Sequence, residues 1–103
     1  MEPISHEQLH GALYEWLGLK VYIHFEINPG GYFRNGKALL SNVHIRGEGP
    51  YRVFLEFEED RGIIQLDNLT HMSINEDFVI ITGYDDFKRL ARTVEISLTP
   101  FQV

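Results

Sequence analysis

Two stretches of this sequence alternate so cleanly that they admit one kind of local structure. In KVYIHFEI (residues 20–27), Val21, Ile23, Phe25 and Ile27 take every second position, with Tyr22, His24 and Glu26 between them. In YRVFLEFE (51–58), Tyr51, Val53, Leu55 and Phe57 do the same. Successive side chains of an extended chain point to opposite faces. Each stretch therefore predicts a strand with one face against a core and the other towards solvent.

The rest of the chain falls into similar short pieces. NPGG (28–31) is a turn, and residues 32–40 continue as a strand with weaker alternation. Asn35-Gly36 inside that strand suits either a tight hairpin turn or a bulge. The bulge is preferred, because a turn there would leave too short a strand behind it and Ser41-Asn42 offers a better turn. Residues 43–46 then form a short strand and GEGP (47–50) a loop. Residues 59–62 turn the chain back into IIQL, and residues 69–74 suggest another short strand. Residues 78–82 are apolar on both faces, which predicts a central or covered strand. After a turn at 85–87, residues 90–98 close the fold, with Val94, Ile96 and Leu98 inward and Glu95 and Ser97 outward.

Only the N-terminus has helical period. Leu9, Ala12, Leu13, Trp16 and Leu17 form one apolar stripe. Ser5 is a good N-cap, Gln8 completes a capping box, and Ile4 with Leu9 can form a hydrophobic staple. Gly18 fits the left-handed position that ends a helix. The expected fold is mainly β (α+β): one N-terminal helix, then about seven mostly antiparallel strands forming a barrel-like or distorted sandwich sheet, in a single domain over residues 1–103. The helix covers an open face or end of that sheet.

Charge and composition exclude several functions. The formal charge is −6, which repels a polyphosphate backbone and anionic lipid. The one basic cluster, Lys88, Arg89 and Arg92, lies beside Asp85 and Asp86 and reads as a solvated turn. An Sm-like or SH3-like nucleic-acid-binding barrel suits the order of elements but not this charge. There are no cysteines, hence no disulfides, thiolate metal sites or cysteine nucleophiles. With no signal-peptide pattern and no apolar run of membrane-spanning length, the expectation is a cytoplasmic protein with neither membrane nor nucleic-acid partner.

SHEQLH (5–10) contains H-E-x-x-H, the spacing at which a helix presents two imidazoles to zinc with a glutamate base between them. The extended form is absent, since Leu13 and Trp16 stand where glycine and histidine would follow. Ser5 and Gln8 already have a capping role. The motif is read as a capping box with His6 and His10 inside it, and no metal or cofactor is expected. The outward row of the first long strand offers a better candidate. His24 and Glu26, two apart on one face, could bind a ligand or do acid–base work in a barrel mouth. Arg52 on the second strand could join them, and would pair with Glu26 if the two strands were close. The competing reading of all three is an ordinary solvated strand face. GEGPYR resembles a phosphate cradle only faintly, because Pro50 removes an amide donor. No catalytic residue can be assigned.

VYIHFE, GGYFRNGK, GEGPYRVFLEFE, LTH and LTPF occur in this order, and together they resemble the YojF-like family. These are small bacterial proteins of unknown function, mainly from Bacillus-type Firmicutes. The resemblance runs from the helix to Phe101, with GEGPYRV its most specific piece. One departure is that relatives carry a longer loop where this chain has INPGG. The resemblance implies a mainly β domain with an N-terminal helix and no assigned catalytic residues. Genes of the family often lie beside one for a deacetylase of bacillithiol biosynthesis. That implies a non-catalytic accessory or binding protein with this deacetylase as partner. Self-association is a further expectation, because an open antiparallel sheet leaves edges that a second copy can pair.

Overall fold

The computed structural model describes residues 1–101. The strands are β1 (Glu2–Pro3), β2 (Lys20–Ile27), β3 (Gly31–Arg46), β4 (Tyr51–Phe57), β5 (Ile63–Leu69), β6 (His71–Ile74), β7 (Phe78–Tyr84) and β8 (Leu90–Ser97). A single helix, α1 (His6–Tyr14), lies between β1 and β2. The strands form one sheet in the order β1-β6-β7-β8-β2-β3-β4-β5, with every neighbouring pair antiparallel. It curls into a half-barrel, as the alternating rows predict.

The inner face holds the core. Val21 and Ile23 of β2, Val43 and Ile45 of β3, Val53 and Leu55 of β4, Val79 and Ile81 of β7, and Val94 and Ile96 of β8 are all buried. The helix closes one end of this face with Leu9 and Leu13, both fully buried. Burying a leucine contributes about 1.5–3 kcal/mol, so this short helix is held by packing rather than by its own nine residues. Ser5 caps it as expected, its Oγ accepting the Gln8 amide at 3.3 Å. The helix ends at Tyr14, one turn earlier than the apolar stripe suggests. Trp16 is buried from the following turn, and Gly18 takes a left-handed φ of 82°.

β3 departs most from expectation. No turn forms at Ser41-Asn42, and residues 43–46 are not a separate strand. One strand of 16 residues pairs with β2 along its first part and with β4 along its second. The register shifts between Leu40 and Asn42, so Ser41 is an extra residue. A bulge bends a strand without ending it, and this one carries β3 from one half of the sheet to the other. The bulge expected at Asn35-Gly36 is present: Ile23 faces Gly36 and Phe25 faces Phe33, leaving Arg34 and Asn35 opposite His24 alone. Asn35 has a φ of 52°, a region asparagine tolerates better than most residues.

Two smaller corrections follow from the curl. The strand expected over 69–74 is divided at Thr70, where the chain leaves β4's side of the sheet for β7's. Ser97, expected outward and wet, is buried at 4% exposure. Its Oγ accepts the amide of Thr99, two residues on, at 3.1 Å. A two-residue β1 pairs with β6 and was not legible in the sequence.

Near the far edge, β5 comes up against β7 and β8. Arg92 Nη1 donates to the Asn68 carbonyl at 3.2 Å. Gly83 lies so near that carbonyl that no Cβ could be accommodated.

Candidate functional site

The largely apolar cleft left in this half-barrel is the best-formed candidate. It has a volume of about 390 Å³ and is lined from β2 by Ile23 and Phe25, from β3 by Phe33 and Gly36, and from β4 and β5 by Phe57, Ile63 and Ile64, among others. The volume falls within the range of ligand pockets. The β3 bulge builds one wall. It brings Gly36 opposite Ile23, and the Phe33 ring folds over the space that a side chain at 36 would need. Phe33 stacks on Phe25 with centroids 5.3 Å apart and planes 11° apart. Phe33 is 45% exposed and Ile63 60% exposed, so these apolar groups line an accessible opening. Lys37 and Arg61 are the charged residues of the lining. Arg61 also pairs with Glu59 at 3.1 Å, with both side chains mostly in solvent.

The residues singled out from the sequence lie elsewhere. His24 and Glu26 are on the outer face of β2, with Nε2 and Oε1 3.9 Å apart and side-chain exposures of 13% and 28%. Glu95 faces His24 across the β2–β8 ladder. On the other side the Phe101 ring meets the imidazole edge-on, at 5.8 Å between centroids. Neither His24 nor Glu26 lines the cleft. β3 separates β2 from β4, so Arg52 is not beside Glu26. Among the described residues no ion pair joins them. Arg52 instead faces Arg46 across the β3–β4 ladder.

His6 is occupied structurally. A ring nitrogen lies 2.9 Å from the Ile45 carbonyl oxygen, which accepts only from a protonated nitrogen, so Nε2–H donates and ties the helix start to β3. The His6 and His10 rings stack 6.3 Å apart with planes 10° apart, and Tyr14 continues the row at 5.2 Å from His10. Among the described residues no group of three or more His, Cys, Asp or Glu is placed to hold a metal ion.

Lys88 and Arg89 of the basic cluster lie in a turn, as expected, whereas Arg92 lies in β8. Asp85 Oδ1 accepts the amides of Phe87 and Arg89 at 2.8 and 2.9 Å, and Arg89 Nε donates to Oδ2 at 3.0 Å. The Arg89 amide acts most strongly to hold the Asp85 carboxyl below its usual value; desolvation opposes it, and the Phe87 amide and the Arg89 side chain add further lowering. Sequence reasoning missed one histidine–carboxylate contact: His44 Nε2 and Glu56 Oε2 are 2.6 Å apart on the outer face of β3 and β4. Both lie on outward positions of strands expected from the sequence, but the register across the GEGP loop, which brings them together diagonally, could not be read from it. It also missed the cleft, because alternation along β2 and β4 does not say whether anything stands opposite Phe25 and Phe57.

Residues 26–101 match the family described as a protein of unknown function (DUF1806). The chain belongs to this family. Within it, the chain is 31% identical to the YojF protein of Bacillus subtilis (strain 168), which is described as uncharacterized, and the whole of both chains is covered. That alignment spans 118 positions against the 103 residues here. The relative therefore carries segments this family member lacks. The crystal structure of B. subtilis YojF superposes with a TM-score of 0.87 at 33% identity, over 99% of this chain and 97% of that one. The YojF-like resemblance and the half-barrel fold are thus both established. Among the described residues no helix is long and apolar enough to cross a membrane.

Proposed function

We propose that this family member is a non-catalytic binding protein of the cytoplasm that takes an apolar-bodied ligand into the cleft between the β2–β3 hairpin and β5. The observation that carries this reading is the cleft itself. It is of ligand size, walled by the stacked Phe25 and Phe33 and by Phe57, and accessible from solvent. Aromatic walls with few polar groups are characteristic of small-molecule sites. The neutral fluorophore N-phenyl-1-naphthylamine tests it directly. Saturable binding at one site per chain, weakened at least tenfold by Phe57→Asp in a variant that still folds, is the expected result. Absence of saturable binding to the wild-type chain, for this probe and for a charged analogue of it alike, would sink the reading.

The accessory role rests on the family resemblance. The partner put first is the deacetylase of bacillithiol biosynthesis whose gene often neighbours those of the family. The expected result is co-purification of the two chains, or a change in deacetylase rate when this protein is added. Neither effect, together with unaltered thiol levels on gene deletion, removes the deacetylase from the proposal. A second reading keeps His24 and Glu26 as a ligand-binding pair on the outer face, supported by their 3.9 Å approach, without Arg52, which lies two strands away opposite Arg46. Its test is whether His24→Gln alters any activity or ligand affinity that Phe57→Asp leaves intact.

A further inference from the structure

The cleft has a charge asymmetry that its chain as a whole does not share. The sequence has 15 acidic residues against 9 basic ones. Yet the residues lining the cleft include Lys37 and Arg61 and no carboxylate. Lys37 makes no ion pair among the described residues, and the single partner of Arg61 is the exposed Glu59. An exposed pair of that kind is worth little, so Arg61 can exchange Glu59 for another anion at small cost. A smaller recess of about 220 Å³ adjoins the cleft, shares Lys37, Ala38 and Arg61 with it, and adds Lys20. Across the β2–β3 ladder Lys37 lies opposite Tyr22, so its side chain leaves on the outer face while Gly36 and Ala38 turn to the cleft. Arg61 is therefore the basic side chain at the cleft itself, and Lys20 and Lys37 share the recess with Glu58 and Glu59.

Resting on the proposed binding function, we infer that the ligand is an anionic amphiphile: a flat or short-chain apolar body seated between Phe25, Phe33 and Phe57, with a single oxyanion head at Arg61 on the rim. The small volume favours one small molecule over a protein segment, whose docking would bury a far wider surface. The net charge of −6 repels anions from the molecule as a whole. Local attraction at the cleft would therefore select compact single charges on an apolar body over polyanions.

Two fluorophores that differ chiefly in charge test this. 1-Anilinonaphthalene-8-sulfonate carries a sulfonate on the frame of N-phenyl-1-naphthylamine, which is neutral. The sulfonate probe should bind the folded chain at one site and more tightly than the neutral one. Arg61→Gln should weaken the sulfonate probe about threefold, the scale of one solvent-exposed charge pair, and leave the neutral probe unchanged, whereas Lys37→Gln, on the outer face, should change neither. Phe33→Ala should weaken both probes. Thermal unfolding of each variant confirms that it is folded, since the sulfonate probe also binds loosened chains. Equal binding of the two probes, or indifference of the sulfonate probe to Arg61→Gln, overturns the anionic class while leaving the cleft as a binding site. Failure of both probes removes the cleft reading and this inference together.

Discussion

The Asn35 side chain holds the Phe101 backbone by both of its polar atoms. Nδ2 donates to the Phe101 carbonyl at 2.9 Å and Oδ1 accepts the Phe101 amide at 2.6 Å. The contact joins the β3 bulge to the C-terminal segment and sets the Phe101 ring against His24. Asn35→Gly preserves the left-handed backbone and removes both bonds. At about 0.5–1.5 kcal/mol each, it should cost about 1–2 kcal/mol in urea unfolding. Asn35→Asp loses the donor alone and should fall between. A glycine variant as stable as the wild type would show that the C-terminal segment is not anchored there.

Gly83 should tolerate no side chain. A Cβ there would collide with the Asn68 carbonyl oxygen and crowd Arg92 Nη1 at 3.1 Å. The oxygen belongs to backbone, so relief requires β5 to move. Gly83→Ala is expected to cost about 3 kcal/mol, measured as a drop in the urea midpoint. Gly36→Ala is the informative contrast. Its clash is with the Phe33 ring, which is half in solvent and can swing aside, so it should cost about 1 kcal/mol or less.

His6 should matter for stability whether or not metal is present. Removing its bond to the Ile45 carbonyl in His6→Ala is expected to cost about 1 kcal/mol, unchanged by a chelator. His10→Ala, with no hydrogen bond to lose among the described residues, should cost less. A loss of stability on adding chelator to the wild type would instead point to bound metal.

The Asp85 turn predicts an acid-side pH dependence. The carboxyl is lowered in the folded state, so its contribution is fully present above the unfolded value, near 3.9. It is lost as pH falls through the folded value, below that. Asp85→Asn should therefore lower the thermal midpoint at neutral pH, with the gap to wild type closing only below about pH 4. A gap that is constant from pH 7 to pH 2 would mean that the turn is held by other contacts.

The elements of this fold were legible wherever one face is buried and the other wet. β2 and β4 could be read residue by residue because Val21, Ile23, Val53 and Leu55 must face inward together. Legibility failed where tertiary structure overrides local signals. Ser41-Asn42 has turn chemistry, yet pairing on both sides keeps the chain extended and reduces the extra residue to a bulge. Ser97 sits at an outward position but is buried between its ladder partners Tyr22 and Phe78, with its hydroxyl turned to the Thr99 amide two residues on. In SHEQLH, the cap could be read from Ser5 and Gln8. The true occupation of His6 could not, because its acceptor is 39 residues away. The cleft was hidden for a related reason. Alternation says which way Phe25, Phe33 and Phe57 point, but not whether anything stands opposite them.

β3 supplies Phe33, Gly36 and Ala38 to one wall of the cleft, and past its kink at Ser41 it pairs with the β4 that carries Phe57 opposite. Both jaws are thus mounted on a single unbroken spar. The gape is fixed by the bend of that spar, and widening it would mean shearing hydrogen-bonded ladder rather than lifting a flap. A guest would meet an aperture already cut to size, so its fit would be judged at the doorway by girth, with no closing motion to follow.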